Sequence, residues 1–304
     1  MPAARRVHRW IAPLVAAAFL PLGAACGSGG SGSVATTTAN AAVAPIRVYP
    51  GPVGLVAGAQ PQPNGLMWLL ARVNATADMQ ELNLTTGHIA LVIPASSSST
   101  SLSQSPSGVI GVGLTTASTG ALELRNGSSG AVVATVPIGA PVKAVVAGAD
   151  GTTFYVLNGN AASSSVTLVN AETDKVSVSV PAPIDTVAIA VDPAGQNLYV
   201  LRADGHVDRV TLGTGAVTAS FTVGSNPLQL VTASTSSTLY VLKATEGGAG
   251  ADVGVVDLAT EAQSSALPAP AHSVGLQLSP DGQSLYLVVG TPTFGNVQQF
   301  ALHP

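Results

Sequence analysis

The sequence predicts an all-β fold, a propeller of six four-stranded blades closed by an N-terminal strand, and three observations predict it. The first is composition. Of 304 residues, 46% are hydrophobic and only 9% charged, and Ser, Thr, Ala, Gly and Val make up the balance. That mixture suits short strands and tight turns, because β-branched side chains pack on a pleated sheet and Gly opens turn geometries. The 33 Gly and 21 Pro punctuate the whole chain and leave no room for long helices beyond its first residues. The second observation is self-similarity. "FYVLN", "LYVLR", "LYVLK" and "LYLVV" place Tyr155, Tyr199, Tyr240 and Tyr286 at intervals of 44, 41 and 46 residues. Trp68 in "MWLLAR" and Ile110 in "VIGVGL" extend the series backwards, by intervals of 42 and 45. A period in the low forties holding several short strands is the mark of a propeller. The third is a mismatch at the two ends. The last unit stops one strand short, after "NVQQFAL", and an outer-strand tail without a sheet of its own, "APIRVYP", precedes the first unit.

In chain order, the first element is not part of the ring. Residues 1–25 carry Arg5, Arg6 and Arg9 and no acid, then an apolar run from Ile11 to Leu22, then small residues. A basic start, a short apolar stretch and a small-residue tail describe an export signal. The run is too short and too Pro-interrupted to span a bilayer, which takes about 20 residues. The chain's single cysteine, Cys26, follows "LGAA" directly. This arrangement resembles that of bacterial lipoproteins, with Gly23 standing where the family usually has Leu. The resemblance implies cleavage before Cys26, lipid on its sulfur and attachment to the cell membrane. Residues 26–44 then form a flexible linker, "GSGGSGSVATTTANAAVA" being Gly- and Ser/Thr-rich. Loss of Arg5, Arg6 and Arg9 takes the net charge from −4 to −7. A lone cysteine forms no internal disulfide, so the body of the protein, residues 45–304, must be held by burial alone.

Within that body each unit has the same order. An apolar inner strand such as "DTVAIAV" leads through a turn such as "DPAGQN" to the "LYV" strand, where Asp, Pro and Gly set the turn dihedrals. A variable loop follows, then a third strand such as "HVDRVTL", a second turn such as "GTGAV" or "NAETDKV", and an outer strand such as "VTASFTV" or "VSVSV". The alternation in "VSVSV" and "HVDRVTL" reads as half-buried strands. The "SPDG…LYV" and "VVDLATEA" stretches resemble the YVTN-type repeat of lactonase-like and surface-layer propellers, from about Pro45 to the end. Counting "LYV" positions yields six blades; a seventh would require an irregular sheet hidden in the Ser-rich run from Ala95 to Ser105. The segment Ile46–Tyr49 is expected to supply the fourth strand of the last blade, since an open sheet edge recruits foreign strands.

Chemistry is sparse. His8 lies in the export signal, His88, His206, His272 and His303 fall in different units with no paired spacing, no Gly-rich phosphate loop joins a strand to a helix, and no basic cluster offers phosphate contacts. These features predict no catalytic residue, metal or cofactor and argue against nucleic-acid binding. Asn74, Asn83 and Asn126 match the N-glycosylation pattern, which is read as coincidental. Lactonase-like relatives, as the resemblance implies, use acidic, His and Arg residues around a central channel, whereas the inner strands here are apolar or small. A binding surface is expected instead at the rim holding the loops after the "LYV" strands, with Asn158, Arg202 and Lys243, and Arg72 near the equivalent position in the first unit. Asp204, Glu246 and Asp252 in the same loops are the natural intramolecular partners of those cations. The sequence therefore reads as a monomeric, lipid-anchored binding or scaffolding module whose partner is an envelope protein or glycan. A lactonase-like or redox propeller enzyme and a structural surface protein are the two alternatives.

Overall fold

The computed structural model describes residues 44–233, 237–246 and 250–302. The expected export signal, Cys26 and the linker up to residue 43 lie outside the described residues. The first strand is β1 (Arg47–Pro50). Blade 1 follows as β2 (Leu55–Gly58), β3 (Leu66–Val73), β4 (Thr76–Asn83) and β5 (His88–Ala95). Blade 2 is β6 (Ser99–Gln104), β7 (Val109–Thr115), β8 (Gly120–Asn126) and β9 (Val132–Pro137). Blade 3 is β10 (Val142–Ala147), β11 (Thr153–Gly159), β12 (Ser164–Asn170) and β13 (Lys175–Ala182). Blade 4 is β14 (Thr186–Val191), β15 (Asn197–Arg202), β16 (His206–Thr211) and β17 (Ala216–Thr222). Blade 5 is β18 (Pro227–Thr232), β19 (Thr238–Ala244), β20 (Ala251–Asp257) and β21 (Ala262–Ala269). Blade 6 contributes β22 (Ser273–Leu278), β23 (Ser284–Thr291) and β24 (Phe294–Ala301) from the end of the chain.

All six sheets are four-stranded and antiparallel, and the order in blade 6 is β22-β23-β24-β1. The N-terminal strand thus completes the last blade, as the two mismatched ends predict. Arg47 pairs with Gln299 and Pro50 with Asn296, and the Ile46 N–H donates to the Gln299 carbonyl at 2.8 Å. Tyr49, buried, fixes the strand further by donating its hydroxyl to Gln299 Oε1 at 2.8 Å. The Ser-rich run holds no seventh sheet; it supplies β6, a regular inner strand.

The core lies in wedges between blades, not at the centre. Met67, Leu69 and Ala71 pack against Tyr286 and Val288 of blade 6, whereas Trp68 and Leu70, pointing the other way from the same strand, pack against Leu102, Ile110 and Val112 of blade 2. Such period-two division of one strand between two wedges explains why the second strands read as almost continuously apolar: both faces are buried. Tyr155 and Leu157 face blade 4, and Phe154 and Val156 face blade 2, by the same rule. Each fully buried Leu or Val contributes about 1.5–3 kcal/mol.

Three register details depart from the sequence reading. The blade-2 residue equivalent to the tyrosines is Gly111, not Ile110, because Gly111 pairs with Ser103 just as Tyr155 pairs with Val146. A Cβ on Gly111 would lie 2.6 Å from the Phe154 ring, so the missing side chain is replaced by an aromatic from the next blade. The strand "VSVSV" is not half-buried: Val176 and Val178 of β13 are 45% and 48% exposed, and Val180 alone of its valines enters the core. An outermost strand is too far from the wedge to bury alternate residues along its whole length. The third departure concerns Arg72, and its consequence is at the rim.

Candidate functional site

Antiparallel pairing sends the inner-to-second-strand turns and the third-to-outer-strand turns to one face of the ring. The opposite face holds the second-to-third-strand loops and the links between blades. The expected rim residues sit on this loop face. Asn158 pairs with Val142, Arg202 with Thr186 and Lys243 with Pro227, each at the first position of its inner strand, so the three occupy one register. In blade 1 that register belongs to Ala71, opposite Leu55, and Arg72 lies one residue beyond it. Side chains alternate along a strand, so this step turns Arg72 towards blade 2 while the other three turn towards the preceding blade.

Each of the three is held by its own blade. Asn158, 2% exposed, donates from Nδ2 to Thr167 Oγ1 at 2.8 Å and accepts from Ser165 Oγ. Thr167 in turn lies 3.3 Å from Ser179 Oγ, completing a polar line across blade 3. Arg202 donates to Asp204 at 2.7 Å and Asp185 at 3.2 Å. Behind it, buried Asp208 accepts from Ser220 at 2.6 Å, at the register that Thr167 and Ser179 occupy in blade 3. Lys243, 9% exposed, reaches Asp252 at 3.3 Å and Gln263 Oε1 at 3.4 Å. Hydrogen bonding to the His206 N–H holds the Asp204 carboxyl below its ordinary value, and its bond with Asp185 holds the Arg202 guanidinium still further towards the charged form. These exposed pairs contribute little to stability. They orient the loop face as a set of polar spokes around the channel.

The inner strands are sheet edges facing the channel, and their unpaired backbone groups need partners. Polar side chains of the adjoining strand supply them. Ser103 accepts from the Ala147 N–H at 2.9 Å, and Gln229 Oε1 accepts from the Leu276 N–H at 2.6 Å. Thr232 donates to the Val191 carbonyl at 2.6 Å, and Gln277 donates to the Gly58 carbonyl at 2.7 Å. Reading the inner strands only as an apolar wall misses these clips. The signal that finds them is an isolated Ser, Thr or Gln interrupting an otherwise apolar inner strand.

On the turn face the channel opens into a cavity of about 260 Å³ to which all six blades contribute, with Pro106, Pro193 and Pro280 at its mouth and Gln60, Gln229 and Gln277 among its polar groups. Its walls are mostly Val, Leu, Ile and Ala, with no charged side chain lining it among the described residues. A second, more open cavity of about 450 Å³ lies at the seam between blades 6 and 1, lined by Arg47, Tyr49, Asp281 and Tyr286 among others. Burial, with Tyr49 and Asp281 nearby, pushes the Tyr286 phenol up to about 12.

Among the described residues no group of three His, Cys, Asp or Glu is placed to hold a metal ion, and no helix is long and apolar enough to cross a membrane. His88 opens β5 on the surface, His206 lies 3.2 Å from Asp204, and His272 packs edge-on against Phe294. His303 lies outside the described residues. Two of the glycosylation-like asparagines have a structural role. Asn83 Oδ1 accepts from the N–H groups of Thr85 and Thr86, and Asn126 Oδ1 from those of Ser128 and Ser129, as Asn170 and Asp257 do at the same turn in blades 3 and 5.

No family model matches the chain, and no curated protein matches it in sequence. Among solved structures, the hydrazine synthase of Kuenenia stuttgartiensis is similar, with a TM-score of 0.59 over 77% of this chain and 73% of that one, at 12% identity. At that identity the likeness is one of fold, and it agrees with the six-bladed propeller described above.

Proposed function

We propose that this protein is an exported, lipid-anchored propeller acting as a non-catalytic binding or scaffolding module of the cell envelope, with the loop face as its contact surface. The observation that carries the reading is an asymmetry between the two faces. The chain enters the ring on the turn face, where Arg47 begins β1 beside the turns of blades 6 and 1. Of the exposed apolar residues off the outer strands, Ile46 stands at the entry of β1, and the other five, Val53, Ile184, Leu228, Val274 and Phe294, stand on the opposite loop face, interspersed with the Arg202 and Lys243 clusters. A tethered module needs its attachment on one side and its adhesive residues on the other. Apolar residues ringed by ordered polar pairs are what protein interfaces use at their centre and rim.

The test has two arms. The full chain is expressed in a bacterial host that processes lipoproteins, and the N-terminal peptide of the membrane-bound fraction is read by mass spectrometry; a diacylglyceryl group on Cys26 is expected, and Cys26→Ala is expected to release the protein into the soluble fraction. Detergent-solubilised envelope is then passed over the wild-type chain and over Ile184→Asp/Leu228→Asp. A partner retained by the first and lost by the second supports the loop face. A free Cys26 thiol, or equal retention by both, overturns the corresponding half of the reading.

A further inference from the structure

Six blades supply an internal alignment, and one position in it breaks the pattern. The residue just past the shared register is Arg72 in blade 1 and Thr115, Gly159, Ala203, Ala244 and Gly290 in the others. Five are small for a visible reason, since the position abuts the first residue of the next inner strand. Thr115 Oγ1 donates to the Val142 carbonyl at 2.6 Å, and a Cβ on Gly290 would sit 2.7 Å from that of Leu55. By the same geometry Arg72 stands against Ser99, the first residue of β6.

Both members of that pair lack partners. The Nε and Nη2 atoms of Arg72 are shielded from solvent and hydrogen-bond to nothing, and the Oγ of Ser99, a fully buried residue, is likewise unpartnered. Withdrawing an unpaired donor from water is unfavourable, and more so for a charged group, so such atoms require an explanation. Arg125, Arg202 and Arg209, by contrast, all form ion pairs. The two orphaned nitrogens of Arg72 are also a matched set: their N–H bonds run parallel along one edge of the guanidinium, the edge that binds both oxygens of a carboxylate at once.

We propose that Arg72 is a carboxylate-binding residue at the junction of blades 1 and 2, its Nε/Nη2 edge taking both oxygens once the side chain turns outwards. One positive charge matches the single negative charge of a carboxylate better than a phosphate dianion. Arg72 is half-buried at the loop-face end of β3, so rotation of its flexible side chain brings this edge to the rim. The proposal rests on the loop face being the contact surface and names the chemistry of what it contacts.

The experiment titrates the full chain with succinate, its uncharged diamide, and phosphate at matched ionic strength, following the Arg72 Nε–H signal by NMR and affinity by calorimetry. A saturable shift with succinate, none with the diamide and a weaker one with phosphate are expected. Arg72→Lys, which keeps the charge but loses the parallel edge, should bind about tenfold more weakly or not at all. Arg72→Met should bind nothing yet melt at the same or a higher temperature, which rules out misfolding as the cause. Absence of any succinate shift, an equal response to phosphate, or unchanged affinity in Arg72→Lys overturns the proposal. An envelope partner captured equally by wild type and Arg72→Lys also overturns it while leaving the binding module standing. Succinate binding without any captured partner sinks the module instead.

Discussion

Gly111 and Phe154 show how a single residue carries information across a blade boundary. The aromatic that blade 2 lacks at its tyrosine position is supplied by Phe154, whose ring lies where a Cβ on Gly111 would be. Phe154→Ala should therefore empty a wedge and cost about 3–5 kcal/mol, measured by chemical denaturation, and Gly111→Ala should also destabilise by displacing that ring. Turn carboxylates act at the same scale. Asp281 accepts from the Ser279 hydroxyl and the Gln283 N–H, and the first of these bonds chiefly holds its carboxyl below the ordinary 3.8. A depressed folded-state pKa contributes stability that is present above 3.8 and is lost as pH falls through the folded-state value. Asp281→Asn should accordingly melt below wild type at pH 7, with a narrower gap at a pH well below 3.8. Equal gaps at both pH values would mean that charge is irrelevant to the turn.

Elements repeat their irregularities as faithfully as their strands. Every inner strand carries a bulge at its second residue, Val56, Thr100, Lys143, Val187, Leu228 and Val274, and the extra residue increases the local twist where the strand meets the loop face. Outer strands of blades 1 to 5 are bulged as well, and in three of them the displaced residue, Ser177, Thr218 or Ser264, donates its hydroxyl to the neighbouring strand. The seam strand β1 differs, pairing without a break from Arg47 to Pro50. Its loss would expose the edge of β24 and strip the cover supplied by buried Tyr49. A chain starting at Val53 should melt lower by roughly 10 °C, since each kcal/mol moves a domain of this size by about 2–4 °C. Unchanged melting would show that the seam contributes nothing. At the channel, Gln277→Leu should cost about 1–3 kcal/mol, because the Gly58 carbonyl would lose its donor.

At the scale of the molecule, stability is distributed around a ring. Each blade shares its two core wedges with its neighbours, so no blade is stable alone and unfolding should be a single cooperative transition. With Cys26 the only cysteine in the chain, no disulfide staples the ring, and its melting temperature should be the same with and without reductant. The ring separates two kinds of surface. On the turn face lie a neutral channel mouth and the seam groove; on the loop face lie exposed Val53, Ile184, Leu228, Val274 and Phe294, the paired cations and Arg72.

Blade number, strand order and the seam were legible in the sequence because they follow from local rules: a period near 43, alternation of apolar residues, turn residues that demand particular dihedrals, and two ends each lacking what the other has. Three things were decided only in three dimensions. Which residue of blade 2 takes the tyrosine position depended on Phe154, a side chain from the next blade. The polar residues of the inner strands became clips because neighbouring strand edges face each other across the channel. The four rim candidates separated because alternation turns a one-residue step into a change of face: Asn158, Arg202 and Lys243 found partners within their blades, and Arg72, turned to the neighbouring wedge, did not. Periodicity specifies where strands run, but whether a side chain is satisfied depends on atoms brought in from elsewhere in the ring.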